Sequence, residues 1–89
     1  MTTGYTTVFS HVAEEQFERL IHADRRLGER LAKAIERLAR EPRVGALLTG
    51  GWKGYCKYRV GDYRIIYRVE HRQLVIYIIA IAHRREVYR

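Results

Sequence analysis

The feature that most constrains this chain is a change of hydrophobic period near residue 55. Upstream, apolar residues recur at helical spacing; downstream they alternate in twos. Cys56, Tyr58 and Val60 alternate with Tyr55, Lys57 and Arg59, Gly61-Asp62 interrupts the run, and Tyr63 to Val69 resumes it. A two-residue break containing glycine predicts a tight β-hairpin, because glycine supplies the positive φ that such a turn requires. Val60 should then face Tyr63, and Arg59 should face Arg64. Side chains alternate across a strand, so Lys57, Arg59 and Arg64 should share one face, with Cys56, Tyr58, Val60, Tyr63 and Ile65 on the other.

A second turn near His71-Arg72 leads to Leu74–Ile81, which is apolar on both faces and therefore reads as a central strand. A central strand needs another neighbour, and Tyr5–Phe9 is the remaining candidate. Between these lie two helical stretches. Ser10 is a candidate N-cap for Ala13, Phe17, Leu20 and Ile21. After a break near Asp24, Leu27, Leu31, Ala34, Ile35 and Leu38 form a second apolar stripe, with Arg30, Lys33, Glu36 and Arg37 on the opposite face. Glu41-Pro42 ends this helix, and the glycine-rich stretch to Gly54 reads as loop. The expected fold is α+β, a β-α-α-β-β-β chain in which a two-helix hairpin packs on one face of a four-stranded, mainly antiparallel sheet. The other face should be partly open. A chain of 89 residues supports one such core, so residues 1–89 are expected to form a single domain.

Charge is distributed unevenly along this frame. Residues 1–51 hold eight basic and seven acidic side chains, whereas residues 52–89 hold nine basic and three acidic ones. Fourteen of the 17 basic residues are arginine, whose planar fork of donors matches phosphate oxygens two at a time. Like charges opposed across a hairpin cost a few tenths to about 1 kcal/mol. The facing Arg59 and Arg64, with Lys57 beside them, therefore point to an anionic ligand. The third meander strand returns beside the Gly61-Asp62 turn and brings His83, Arg84, Arg85, Tyr88 and Arg89 towards the cluster. Cations for phosphates with an aromatic for a base suit single-stranded RNA.

Other chemistries find little support. The acidic residues of the second half, Asp62, Glu70 and Glu86, are scattered. His11, His22, His71, His83 and Cys56 lack metal-ligand spacing, and the glycines lack phosphate-loop spacing. No metal or other cofactor is expected. Cys56, on the helix side, reads as a buried structural thiol. A lone cysteine, no apolar run of roughly 18 residues and no secretion-type N-terminus lead to the expectation of a cytoplasmic protein without a membrane association.

The run Lys57-Tyr58-Arg59-Val60-Gly61-Asp62-Tyr63-Arg64-Ile65-Ile66-Tyr67-Arg68-Val69, followed by Ile81-Ala82-His83-Arg84-Arg85-Glu86-Val87-Tyr88, resembles the RelE branch of the RelE/ParE toxin superfamily. The helical pair and the glycine-rich loop resemble its layout as well. The resemblance implies a toxin of a type II toxin–antitoxin system that cuts mRNA in the ribosomal A site. The implied reaction is metal-free: the 2′-OH attacks the adjacent phosphate, leaving a 2′,3′-cyclic phosphate and a 5′-OH. The implied catalytic residues are Lys57, Arg59, Arg64, Arg84 and Tyr88, with Lys53, Arg68, His83, Arg85 and Arg89 as further RNA contacts. Lys57 and Arg64 would stabilise charge on the phosphoryl oxygens, Arg84 would neutralise or protonate the leaving oxygen, and Tyr88 would stack on a base. The implied partners are the ribosome, its mRNA and a cognate antitoxin in a hetero-oligomeric complex.

Arg59 stands where relatives carry a lysine proposed as general base, and a guanidinium is a poor proton acceptor at neutral pH. Lys57 could take that role, His83 could assist, or the reaction could rest on electrostatics and geometry. Two alternatives remain open: a ParE-like toxin that poisons DNA gyrase, and a non-catalytic nucleic-acid-binding relative.

Overall fold

The computed structural model describes residues 4–83 and Arg85. The chain forms strand β1 (Thr6–Phe9), helices α1 (His11–Ala23) and α2 (Arg25–Arg40), and strands β2 (Ala46–Leu47), β3 (Cys56–Val60), β4 (Tyr63–Glu70) and β5 (Val75–His83). The sheet has five strands in the order β1-β5-β4-β3-β2, rather than the four expected. The addition is β2, whose two residues pair antiparallel with Cys56 and Lys57. A two-residue strand is too short to generate a periodic signal. β1 runs parallel to β5, and the other pairings are antiparallel.

Both helices begin at side-chain caps. Ser10 Oγ accepts from Ala13 N–H at 3.0 Å, and Asp24 Oδ1 accepts from Leu27 N–H at 3.1 Å. Asp24 also closes α1, so the helices join without a loop. Gly28 permits their close approach: a Cβ there would lie 2.4 Å from Ile21 Cγ1 and 3.0 Å from Ile21 Cα. The core lies between this hairpin and the sheet. Ala13, Leu31, Ile35 and Leu38 meet Val60, Ile65, Tyr67, Ile76, Ile78 and Ile81.

Alternation breaks once in β5. Ile66 pairs with Ala80 but Tyr67 pairs with Ile78, so a bulge at Ile79 moves the inward set from Ile76 and Ile78 to Ile81. Beyond the end of β1, α1 meets the backbone of β5. Ser10 N–H donates to Ile78 O at 2.9 Å, Ser10 Oγ donates to Ile79 O at 2.7 Å, and Ile81 N–H donates to Gln16 Oε1 at 2.7 Å. The bulged backbone thus finds its partners in a helix.

Tyr67, fully buried, ties the α2–β2 connection to the sheet. Its hydroxyl donates to Pro42 O at 2.7 Å and accepts from Gly45 N–H at 3.0 Å. Burial, reinforced by the neighbouring Cys56, pushes its pKa up from 10.0 to about 12. The unfolded chain therefore ionises first, so this contribution to stability is complete below pH 10.0 and is lost as pH rises through about 12. We predict that Tyr67→Phe lowers the unfolding free energy by about 2 kcal/mol, because two backbone groups lose their partner. Denaturant titration checks this, and the alkaline loss in that window should be weaker in the variant. Gly28→Ala should also destabilise, by up to about 2 kcal/mol. The gain in helix propensity is about 1 kcal/mol, whereas a collision with Ile21 close to its backbone costs about 1–3 kcal/mol.

Candidate RNA-binding face

The hairpin register follows from the turn. Gly61 has φ of 61°, Val60 pairs with Tyr63, and Arg59 lies directly across from Arg64. On the side of the sheet away from the helices, Lys57 and Arg59 on β3 share a face with Arg64, Ile66 and Arg68 on β4. Ala80 and Ala82 on β5 lie across from Ile66 and Arg64. Both are small side chains, so Arg64 has no bulky neighbour across from it on β5. The face is not fully open: Ile66 is 2% exposed, and Nη1 of Arg64 is withdrawn from solvent. Ile66, directly opposite Lys57, gives the cationic cluster an apolar floor, where charges act through a lower effective dielectric than in water. Sequence reasoning missed this residue, since one isoleucine in an apolar run does not announce which face it covers.

Arg59 is exposed, and its Nε donates to Gly61 O at 2.9 Å, which turns the side chain towards the hairpin end. Arg68 lies on the same face, four residues along β4 and so roughly 13 Å from Arg64. Its guanidinium stacks over the Tyr77 ring, 4.8 Å from the centroid. Lys53 is exposed in the loop before β3 and caps a short helical turn at Gly50–Trp52. Its position is separate from the hairpin face.

His83 lies on the other side of the sheet. The bulge in β5 places it on the helix side, across from Tyr63, with ring centroids 5.2 Å apart and planes at 86°. Its Nδ1 accepts from the Arg85 N–H at 3.2 Å. His83 therefore does not join Lys57 and Arg64, and Arg85 is exposed beyond it. Arg84, Tyr88 and Arg89 lie outside the described residues. Cys56 is on the helix side as expected but only partly buried, and desolvation raises its thiol pKa, which disfavours the thiolate. Gln16 was not singled out from the sequence. Its signal was there: it is a polar residue on the apolar stripe of α1, three positions after Ala13 and four before Leu20.

Among the described residues, no three His, Cys, Asp or Glu side chains gather as a metal site. No helix there is long and apolar enough to cross a membrane. The face offers cations above an apolar floor.

Comparison with known proteins agrees with this architecture. Residues 8–88 match the family described as ParE toxin of type II toxin-antitoxin system, parDE. The chain is 33% identical over 86 residues to Toxin RelG of Mycobacterium tuberculosis, covering 96% of this chain and 97% of that protein. Among solved structures it is similar to the toxin-antitoxin complex RelBE2 of the same organism, with a TM-score of 0.79 and 28% identity over 93% of this chain and 94% of the other. The fold is shared with the intact RelBE toxin-antitoxin complex of E. coli, with a TM-score of 0.75 and 22% identity over 89% and 95% of the two chains. The chain thus belongs to the ParE toxin family within the RelE/ParE superfamily, and is a toxin of a type II toxin–antitoxin system.

Proposed function

We propose that this toxin is a ribosome-dependent mRNA endonuclease that cuts in the A site. The observation that carries the reading is the register that sets Arg59 against Arg64 beside Lys57, above a buried Ile66. Two guanidinium groups opposed across a hairpin repel each other, and a phosphate held between them relieves that repulsion. In the proposed reaction the 2′-OH attacks the adjacent phosphorus, a bond forms from O2′ to phosphorus, and the bond to O5′ breaks. The products are a 2′,3′-cyclic phosphate and a 5′-OH.

Negative charge grows on the phosphoryl oxygens as this proceeds. Arg64, with part of its guanidinium withdrawn from water, is the group we assign to stabilising it. Arg59 would hold the phosphate on the exposed side. Among the cations described on this face, Lys57 is the one able to give up a proton and so to accept one from the 2′-OH. His83, on the opposite side of the sheet, is a poor candidate for that step. We assign Arg84 to the charge on the leaving oxygen, which takes up a proton from water to give the 5′-OH, and Tyr88 to stacking on a base. No metal is required by this scheme.

A cognate antitoxin would silence the face with an acidic or amphipathic segment, and the likeness to toxin–antitoxin complexes supports such a partner. Action on ribosomes implies a cytoplasmic site of work. A second reading is favoured by the match to the ParE family: a protein that poisons DNA gyrase and cuts no RNA.

The test is single-turnover cleavage of mRNA on programmed ribosomes, in a magnesium-saturated EDTA buffer that withdraws transition metals while free magnesium keeps the ribosomes intact. Arg64→Ala should slow the cut on the order of 100-fold or more, the usual cost of removing a transition-state donor. Arg84→Ala should slow it by a similar factor. Cleavage that survives Arg64→Ala within a few-fold, in a folded protein, would remove the basis of the assignment.

A further inference from the structure

The seam between the helical hairpin and the Gly61-Asp62 turn is lined with cations, of which the cleavage face uses only Arg59. Three adjoining concavities of about 340, 530 and 350 Å³ run along it. The first and second share Arg30 and Gly61, and the second and third meet at Tyr63, so the three lie side by side along the seam. Six cations line it: Arg19, Arg26, Arg30, Lys33, Arg37 and Arg59. Two carboxylates, Asp24 and Asp62, oppose them, and that of Asp24 already caps α2. Among the described residues only Arg37 of the six has an ion pair, with Glu41 at 3.2 Å.

Arg26, Arg30, Lys33 and Arg37 follow one another at helical spacings of four, three and four, so they share one face of α2 over roughly 16 Å. Arg37 suits the C-terminal turn of α2, but the stability of the helix does not ask for a cation at Arg26. The helix has no acidic residue in its first turn and begins Arg25-Arg26. The positive end of a helix dipole disfavours cations by about 0.3–1 kcal/mol each. The Arg30 guanidinium lies on the hairpin turn, with Nη1 and Nη2 both 3.4 Å from where a Cβ on Gly61 would sit. Arg59 belongs to both surfaces, facing Arg64 in the sheet register and lining the groove beside Arg30.

We propose that this seam is a second RNA-binding track, which holds the phosphate backbone of folded RNA while the sheet face handles the strand to be cut. Five of the six cations are arginine, the side chain suited to bidentate phosphate contact. An acidic protein segment is the less suitable occupant. Protein interfaces draw on an apolar core, whereas the apolar side chains along this groove, among them Leu20, Leu27, Ala34, Val60 and Ile81, are already packed in or against the core of the domain. The inference goes beyond cleavage and does not depend on it.

The experiment measures binding of a fluorescein-labelled RNA stem-loop over a series of salt concentrations. It compares the wild type with Arg26→Gln/Arg30→Gln/Lys33→Gln and with a charge-matched control, Arg25→Gln/Arg40→Gln/Arg43→Gln. Each phosphate contact contributes about 0.7 to 0.9 to the slope of log affinity against log salt. The seam variant should lose about two units of that slope, and the control less than one, with both melting like the wild type. Equal losses in the two variants would show a net-charge effect and overturn the track. So would unchanged RNA binding in the seam variant, including the case in which that variant instead loses binding to poly-glutamate. The same proteins are assayed for mRNA cleavage on ribosomes. A wild type that does not cut but shows the seam-specific slope removes the proposed endonuclease and leaves the track standing. A wild type that cuts without a seam-specific slope does the reverse.

Discussion

The two-residue turn at Gly61-Asp62 sets the register on which both surfaces of the hairpin depend. With Val60 fixed against Tyr63, period-two alternation decides every side chain from Cys56 to Glu70. A slip of one residue would send Ile65 and Tyr67 into solvent and bury Arg64. The core therefore enforces the same register that sets two arginines face to face. Burial of Ile65 and Tyr67 against the helices outweighs a repulsion of at most about 1 kcal/mol. The sheet can thus hold a cationic cluster in a fixed arrangement because its other face is packed.

A second constraint acts at the end of β5. The bulge at Ile79 turns the strand by one residue, and α1 supplies the hydrogen bonds that β1 is too short to give. Ser10 serves twice, as the cap of α1 and as a donor to the bulge. The first turns of α1 and the strand leading to Arg84 are thereby one unit. Ala80 and Ala82 face the cationic cluster, and Tyr63 with His83 closes the helix side.

Much of this was legible in the sequence. The hairpin register followed from one glycine in an alternating run, both helix starts from Ser10 and Asp24, and the β1–β5 pairing from the need of an all-apolar strand for two neighbours. What escaped did so for physical reasons. The β2 strand is shorter than one period of its own pattern. The bulge leaves no mark in a segment apolar on both faces, so the sequence does not reveal that His83 lies on the helix side. The seam cations were hidden by counting. Residues 1–51 nearly balance in charge, but none of their glutamates lines the groove, and among the described residues only Arg37 of its cations is paired with one. The family was legible from the run around the hairpin. The roles of individual residues rest on chemistry rather than on the fold, because one register can serve a nuclease or a binding protein.

The central claim is that the basic sheet face acts on RNA. The most direct test maps the 3′ ends of mRNA after incubation of the wild-type protein with programmed ribosomes, beside a supercoiling assay of DNA gyrase with the same preparation. The account predicts cuts within the A-site codon that end in a 2′,3′-cyclic phosphate, and gyrase activity that is unaffected. Intact mRNA together with inhibited gyrase would contradict it.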